Sequence, residues 1–90
     1  MHESFHHDLQ NLDTKSKMIK EIGEYSLSVV NFTTDWCPPC NQLKVFYEEF
    51  AKMSANQSIK FFTCDLDKCE ECAEHSSISV TPTFHFYKNG

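Results

Sequence analysis

Hydrophobic residues recur along this chain with two periods, one that is typical of strands and one that is typical of helices. Residues 27–33 form a β-branched and aromatic run that predicts a buried strand, and residues 59–64 form a second run of this kind. A further strand is predicted over 83–87, directly after Pro82, and residues 5–9 predict a short first strand. Strands are therefore expected at four places along the chain.

The segments between these strands carry the spacing of amphipathic helices. Asp13 or Thr14 provides an N-cap for a first helix, which ends at Gly23. A second helix follows Cys40 and ends at 56–58. Its apolar stripe, which we expect to lie in the core, comprises Leu43, Phe46, Tyr47, Phe50 and Met53.

The alternation of strands and helices predicts the fold class. A short helix that holds Cys69 and Cys72 completes the order βαβαβαβ, which predicts an α/β fold in which helices sandwich one sheet with right-handed crossovers. The length suits a single domain over 1–90, and a hydrophobic fraction of 40% with eight Phe argues against disorder. Asn89-Gly90 is a strong hairpin signal without a return strand, so we expect the domain to be incomplete at its C-terminus.

The charge pattern narrows the possible partners. The net charge is −5 at pH 7, and no run of Lys or Arg is present. Nucleic acid and anionic membrane surfaces are therefore not expected as partners, because both attract basic patches. No apolar run reaches about 18 residues, so no membrane-spanning segment is expected either.

The cysteines are the residues best suited to chemistry. Five occur, at positions 37, 40, 64, 69 and 72, and the N-terminal residues lack the pattern of a signal peptide. We therefore expect a cytoplasmic protein in a reducing compartment, where a disulfide scaffold is disfavoured. Catalysis and metal binding are the alternatives that this pattern leaves.

One motif, Trp36-Cys37-Pro38-Pro39-Cys40, lies where a buried strand passes into a helix. The unpaired amides and the dipole of a helix N-terminus stabilise a thiolate, which lowers the pKa of Cys37. Two intervening residues let Cys40 close a small disulfide ring, and prolines are tolerated in a first helical turn. Trp36 is expected to shield the thiols and to offer a flat apolar contact surface. The motif predicts thiol-disulfide exchange, in which Cys37 attacks a substrate disulfide and Cys40 resolves the mixed disulfide.

At these residues the chain resembles the thioredoxin family. Residues 36–40 look like the family's active-site motif, and residues 80–84 and 86–90 resemble its cis-proline strand and hairpin turn. The resemblance implies a cis peptide bond before Pro82, packed against the active-site cysteines, and a Thr81 backbone that binds an extended substrate peptide. It also implies protein disulfides as substrates, no bound metal or cofactor, and reduction by an NADPH-dependent flavoprotein reductase.

Four features depart from the family's pattern. Pro38 replaces a glycine, as in tryparedoxins, and Val45 replaces a proline that kinks the helix, so a straighter helix is expected. Asn31 stands where the family buries an aspartate, and because an amide cannot accept a proton near neutral pH, we expect slower resolution of the mixed disulfide. The family's last strand and terminal helix have no counterpart, so strand 83–87 is expected to form an exposed edge that favours dimerisation.

The remaining cysteines carry weaker signals. Cys69-Glu70-Glu71-Cys72 is a second CxxC, for which a structural role and a regulatory disulfide or glutathionylation site are the alternatives. Cys64 is predicted to be a small buried hydrophobe on a strand. Zinc bound by both CxxC pairs is disfavoured because 28 residues separate the pairs, where about 15–20 are usual. Four histidines are interpreted as solvated or edge residues: His6, His7, His75 and His85.

Two functional hypotheses follow from these residues. The first is an enzyme that reduces protein disulfides through Cys37 and Cys40. The second is a truncated binding module that captures peptides with little turnover, which Asn31, Pro38 and the missing terminal elements favour. Turnover of a disulfide substrate distinguishes the two.

Overall fold

The structure, a computed structural model, describes residues 9–53 and 58–90. In chain order the described elements are β1 (Leu9–Asn11), α1 (Lys15–Gly23), β2 (Leu27–Thr33), α2 (Pro38–Met53), β3 (Ile59–Asp65), α3 (Glu70–Ser76) and β4 (Thr83–Lys88). This order confirms the α/β architecture that the hydrophobic pattern predicts. Of the predicted first strand only Leu9 falls within β1, and residues 5–8, like residues 56 and 57, lie outside the described residues. None of the described helices combines the length and the apolar character needed to cross a membrane.

The strands form one mixed sheet in the order β1-β3-β2-β4. β3 runs parallel to β1 and β2, whereas β4 is antiparallel to β2. Phe32, near the end of β2, pairs with Thr83 at the start of β4. Two segments therefore lie at the same end of the sheet: the segment after β2, which holds the first CxxC, and the segment before β4, which holds Pro82.

The main core lies between the sheet and the helices α1 and α3. Its buried residues are Leu12, Met18, Ile22, Val30, Phe32, Phe62, Cys64, Cys69 and Cys72. Thr14 is the N-cap of α1, because its Oγ1 accepts a hydrogen bond from the Lys17 amide at 3.1 Å. Of the two candidate caps the chain uses the threonine, and α1 ends at Gly23 as expected.

Tyr47 fixes α2 to the opposite face of the sheet. Its ring packs against Phe61 and Phe84, and its hydroxyl lies 2.6 Å from the Phe62 carbonyl oxygen and 3.1 Å from that of Val29. Burial raises the pKa of the Tyr47 hydroxyl, so the group stays protonated and donates to these acceptors. A single side chain thus ties α2 to both central strands.

The sequence prediction that the apolar stripe of α2 lies in the core is wrong for most of the stripe. Phe46 is 66% exposed and Phe50 is 60% exposed, whereas Tyr47 is buried. The reason is that α2 is the only described helix on this face and leaves β4 uncovered. An apolar groove of about 500 Å³ remains between α2 and β4, and Phe84 and Phe86 line its strand side.

Candidate active site

The first CxxC lies at the start of α2. Cys37 is five residues beyond Phe32, the last residue of β2 that pairs with β4. Pro38 and Pro39 occupy the first helical turn, where a missing amide hydrogen leaves no helical hydrogen bond unmade. The Cys40 amide donates to Cys37 Sγ at 3.2 Å, and the Asn41 amide donates to the Cys37 carbonyl at 3.1 Å. Cys37 therefore takes the capping position of α2, as the motif predicts.

Cys37 and Cys40 form a disulfide with a Cα–Cα distance of 5.1 Å, which is within the usual range for such bonds. Both residues are buried, and Cys37 keeps slightly more exposed surface, 5% against 2%. Cys37 is thus the slightly more accessible residue of the pair. This asymmetry agrees with the roles that the motif suggests, in which Cys37 meets the substrate.

Trp36 does not shield the disulfide, and this expectation is wrong. Its side chain is 92% exposed, so it covers almost nothing beneath it. The second expected role, a flat apolar contact surface beside the cysteines, is compatible with that exposure. Val80, in the segment before β4 at the same end of the sheet, is also exposed, at 68%.

The peptide bond between Thr81 and Pro82 is cis, as the resemblance implies. The segment that carries it begins at Ser77, which adopts a left-handed conformation with φ of 59° and ends α3. Thr83 Oγ1 donates to the Val80 carbonyl at 2.6 Å and closes the turn around the proline. Because β4 pairs antiparallel with β2, this turn lies at the same end of the sheet as Cys37.

Asn31 is buried in the middle of β2, with 4% of its surface exposed. Its side chain shares the α2 face with Phe84, its cross-strand partner. Among the described residues the Asn31 Oδ1 atom has no hydrogen-bond partner. Asn31 therefore lies beneath the α2 side of the sheet, at the position where the family resemblance implies a buried aspartate.

The second CxxC is also closed as a disulfide, between Cys69 and Cys72, with a Cα–Cα distance of 5.3 Å. Cys69 is not inside α3, as the sequence suggested, but caps it, and its Sγ accepts from the Cys72 amide at 3.1 Å. Cys64 is a fully buried free thiol, as predicted. Burial raises the pKa of Cys64 to about 11, with a further contribution from Asp65, so the thiol is neutral at physiological pH.

The two CxxC pairs do not meet around a metal. Each pair bonds within itself, and in residues 9–53 and 58–90 no group of three or more His, Cys, Asp or Glu is placed to hold an ion. His85 lies on the edge strand β4, as expected, and makes contacts there that we did not expect. It packs edge-on against Phe32 at 5.2 Å between ring centroids, and its Nδ1 lies 3.3 Å from the Tyr87 hydroxyl. The alternation along β4, which puts His85 and Tyr87 on one face, was the signal for this contact.

Comparisons with known proteins identify the family of this chain. The family profile described as "Thioredoxin" matches residues 6–90. The thioredoxin of Ictalurus punctatus is 38% identical over 82 residues, which cover 91% of this chain and 76% of that protein. The thioredoxin of Gallus gallus is 35% identical over 80 residues, with coverage of 89% and 73%.

Solved structures show the same fold. The thioredoxin of Plasmodium falciparum matches with a TM-score of 0.84 at 32% identity, covering 90% of this chain and 78% of that one. The thioredoxin of Fasciola hepatica matches with a TM-score of 0.84 at 35% identity and the same coverage. Sequence, fold and the paired cysteines at the start of α2 agree, and the chain belongs to the thioredoxin family of thiol-disulfide oxidoreductases.

Proposed function

We propose that the chain reduces disulfide bonds in proteins through Cys37 and Cys40. The observation that carries this proposal is the disulfide that Cys37 and Cys40 form at the start of α2, with Cys37 as the more exposed partner. α2 is 16 residues long, and the partial positive charge at its N-terminus stabilises a thiolate on Cys37 once the pair is reduced.

The reaction takes two exchange steps. The Cys37 thiolate attacks one sulfur of the substrate disulfide, the substrate S–S bond breaks, and the other substrate sulfur leaves as a thiolate that takes a proton. Cys40 then loses its proton and attacks Cys37 Sγ, which releases the second substrate thiol and forms the internal disulfide. Two electrons have passed from the dithiol to the substrate. Asn31 cannot accept the Cys40 proton, so water or the departing thiolate takes it.

The end of the sheet beside the cysteines has groups that can bind an extended peptide. Trp36 offers an exposed ring, and the Thr81 backbone next to the cis Pro82 offers hydrogen-bonding groups for strand addition. Pro38 and Pro39 support the site by stiffening the first turn of α2. Trp36, Thr81 and Pro82 are the residues that we propose for substrate binding.

The oxidised pair needs an electron donor to begin a new cycle. We assign this role to an NADPH-dependent flavoprotein reductase and place the reaction in the cytoplasm, where thiols are kept reduced. Turnover with NADPH and such a reductase tests the assignment. NADPH consumption that requires this chain and an insulin substrate supports it, and no consumption with an active reductase contradicts it.

Insulin reduction tests the proposed activity. With dithiothreitol as donor, the chain is expected to speed the turbidity rise of reduced insulin, and Cys37→Ser is expected to abolish the effect. Cys64→Ser is the matched control, because it removes a buried thiol away from the site and should keep the activity. A folded wild-type chain without activity would contradict the proposal.

A binding module with little turnover is the second candidate. Asn31 favours it, because a site without a buried proton acceptor slows release of a captured substrate. Under this reading a folded chain binds disulfide peptides in stoichiometric amounts but does not reduce insulin catalytically.

Dimerisation through β4 is a further proposal on partners. β4 is an edge of the described sheet, and Phe86 on it is 77% exposed. A second copy that pairs edge to edge would satisfy the unpaired backbone groups and cover this ring. Sedimentation of the wild-type chain over a concentration series should show dimers that Phe86→Lys weakens. A wild-type chain that stays monomeric at the highest concentration contradicts this proposal.

A further inference from the structure

The Cys69–Cys72 disulfide repeats the local geometry of the Cys37–Cys40 disulfide. In each pair the first cysteine precedes a helix, and its Sγ accepts a hydrogen bond from the amide of the second, at 3.1 Å and 3.2 Å respectively. The Cα–Cα distances are 5.3 Å and 5.1 Å. The backbone thus holds the second pair in position to open and close as the first pair does.

We propose that Cys69 and Cys72 form a second redox couple, which exchanges electrons through Cys69 with small thiols and disulfides of the glutathione type. This couple is separate from the protein-disulfide reductase activity and does not depend on it. The evidence for it comes from burial, from the surface around Cys69 and from the charges beside it.

Burial selects the sulfur that reacts. Cys69 keeps 5% of its surface exposed, whereas Cys72 has none. An external thiolate therefore attacks Cys69 Sγ, with Cys72 as the leaving group. The nearby Cys64 is fully buried and, because its pKa is raised, stays a neutral thiol that does not compete.

The surface around Cys69 selects small reactants over protein clients. The large apolar side chains that are exposed on the described residues include none between 65 and 76. The first disulfide, by contrast, has the exposed Trp36 beside it and the exposed Val80 at the same end of the sheet. A peptide therefore finds no apolar docking surface at Cys69, whereas a small thiol needs only access to one sulfur.

The charges near the second pair make it harder to reduce than the first. Residues 65–74 carry five acidic side chains and one lysine, whereas residues 34–44 carry one acidic side chain and one lysine. Negative charge disfavours the thiolates that form when a disulfide is reduced, so the acidic side chains favour the closed disulfide of the second pair. The second couple therefore remains oxidised in buffers that already reduce the first.

The exchange balances with two molecules of the small thiol. One thiolate attacks Cys69 Sγ, the Cys69–Cys72 bond breaks, and Cys72 leaves as a thiolate that takes a proton. A second thiolate attacks the sulfur of the bound small thiol, which departs as a small disulfide, and Cys69 becomes a thiol. Two electrons enter the protein, and the reverse sequence oxidises it.

A redox titration of the wild-type chain tests the proposal. The chain is equilibrated in buffers of graded ratios of reduced to oxidised glutathione and quenched in acid. Its thiols are then alkylated in two stages and mapped by mass spectrometry. Trypsin separates the three sets of cysteines, because cleavage after Lys20, Lys44, Lys60 and Lys68 leaves each set on its own peptide. The peptide with Cys64 serves as the internal control and should always read as a thiol.

The second pair is expected to titrate as a two-electron couple that needs a buffer roughly tenfold more reducing than the first pair, in terms of its equilibrium constant. A second pair that stays reduced in excess oxidised glutathione overturns the proposal. So does one that never opens in excess reduced glutathione or that is reduced before the first pair.

Two single variants test the assigned direction of attack. Cys72→Ser leaves Cys69 without its partner and should accumulate one glutathione on Cys69 when mixed with oxidised glutathione. Cys69→Ser leaves the buried Cys72, which should stay unmodified for as long as the chain remains folded by circular dichroism. Equal modification of both variants contradicts access through Cys69, and the wild-type titration decides the proposal if either variant fails to fold.

Discussion

Asn31 is the buried residue at which this site departs from the pattern that the family resemblance implies. Asn31 lies on the α2 face of the sheet with an Oδ1 atom that has no hydrogen-bond partner among the described residues. A side-chain amide at this position cannot take up a proton near neutral pH. The chemistry at Cys37 and Cys40 must therefore proceed without a buried base at this position.

Asn31→Asp should restore a proton acceptor beneath the disulfide. General acid–base groups contribute at least about a hundredfold where they act, so we expect resolution of a Cys37 mixed disulfide to speed up roughly tenfold or more. Stopped-flow release of a fluorescent thiol from a mixed disulfide measures this rate. Asn31→Leu, which is apolar and of similar size, is the control and should leave the rate unchanged. An Asp variant that resolves no faster than wild type sinks the argument.

The buried thiol of Cys64 should make the chain sensitive to alkaline pH. Its pKa is raised to about 11 in the folded state from the ordinary value of 9.0, mainly by burial. The unfolded chain therefore releases this proton first. The stability that the neutral thiol provides is complete below pH 9.0 and is lost as the pH rises towards 11.

Urea unfolding between pH 8 and pH 11 checks this sign. The unfolding free energy should fall with a slope that includes up to about 1.4 kcal/mol per pH unit from this one proton. Cys64→Ala should lose that part of the slope, together with the small part of the raised Tyr87 pKa that Cys64 causes, whereas Tyr47 contributes equally in both chains. Parallel curves for the two chains would rule out the role of Cys64.

At the scale of elements, the attachment of α2 decides where the active site lies. α2 begins with the first CxxC and is held to β2 and β3 by the Tyr47 hydroxyl. The Tyr47 contact is therefore the link between the sheet and the helix that positions Cys37. Its neighbours on the stripe, Phe46 and Phe50, contribute less because they remain exposed.

Tyr47→Phe should weaken this attachment. The one buried hydroxyl hydrogen that the carbonyls of Val29 and Phe62 share is lost, so the unfolding free energy should fall by about 1–3 kcal/mol while the fold is kept. Chemical denaturation measures the change. Tyr25→Phe is the matched control, because Tyr25 is only half-buried, and its effect should stay within about 0.5 kcal/mol. Equal losses in the two variants would show that the hydroxyl contact does not anchor α2.

The elements and the first disulfide were accessible from the sequence because their signals are local. β2 was recognisable from its continuous apolar run, and the CxxC that follows it was placed correctly at the start of α2. The exposure of Phe46 and Phe50 was not, because an apolar stripe shows that a helix has a packing face but not how much of that face is covered. The exposure of Trp36 was missed, and the Cys69–Cys72 bond was only one of two alternatives, since exposure and pairing are set by contacts that spacing does not fix.

At the scale of the whole molecule, the two faces of the sheet are packed unequally. α1 and α3 cover one face with a closed core, while α2 alone lies on the other and leaves an apolar groove beside β4. The chain spans 76% of the Ictalurus punctatus thioredoxin that it matches. The proposed activity does not use this groove. It uses the end of the sheet where β2 ends and β4 begins.

Trapping of the covalent intermediate tests the central claim most directly. Cys40→Ser, incubated with a disulfide-bonded protein substrate, should accumulate a mixed disulfide whose tryptic linkage maps to Cys37, and Cys37→Ser should form none. That result establishes Cys37 as the attacking thiol and Cys40 as the one that releases the product. A folded Cys40→Ser chain that forms no adduct, or an adduct on any other cysteine, would contradict the account.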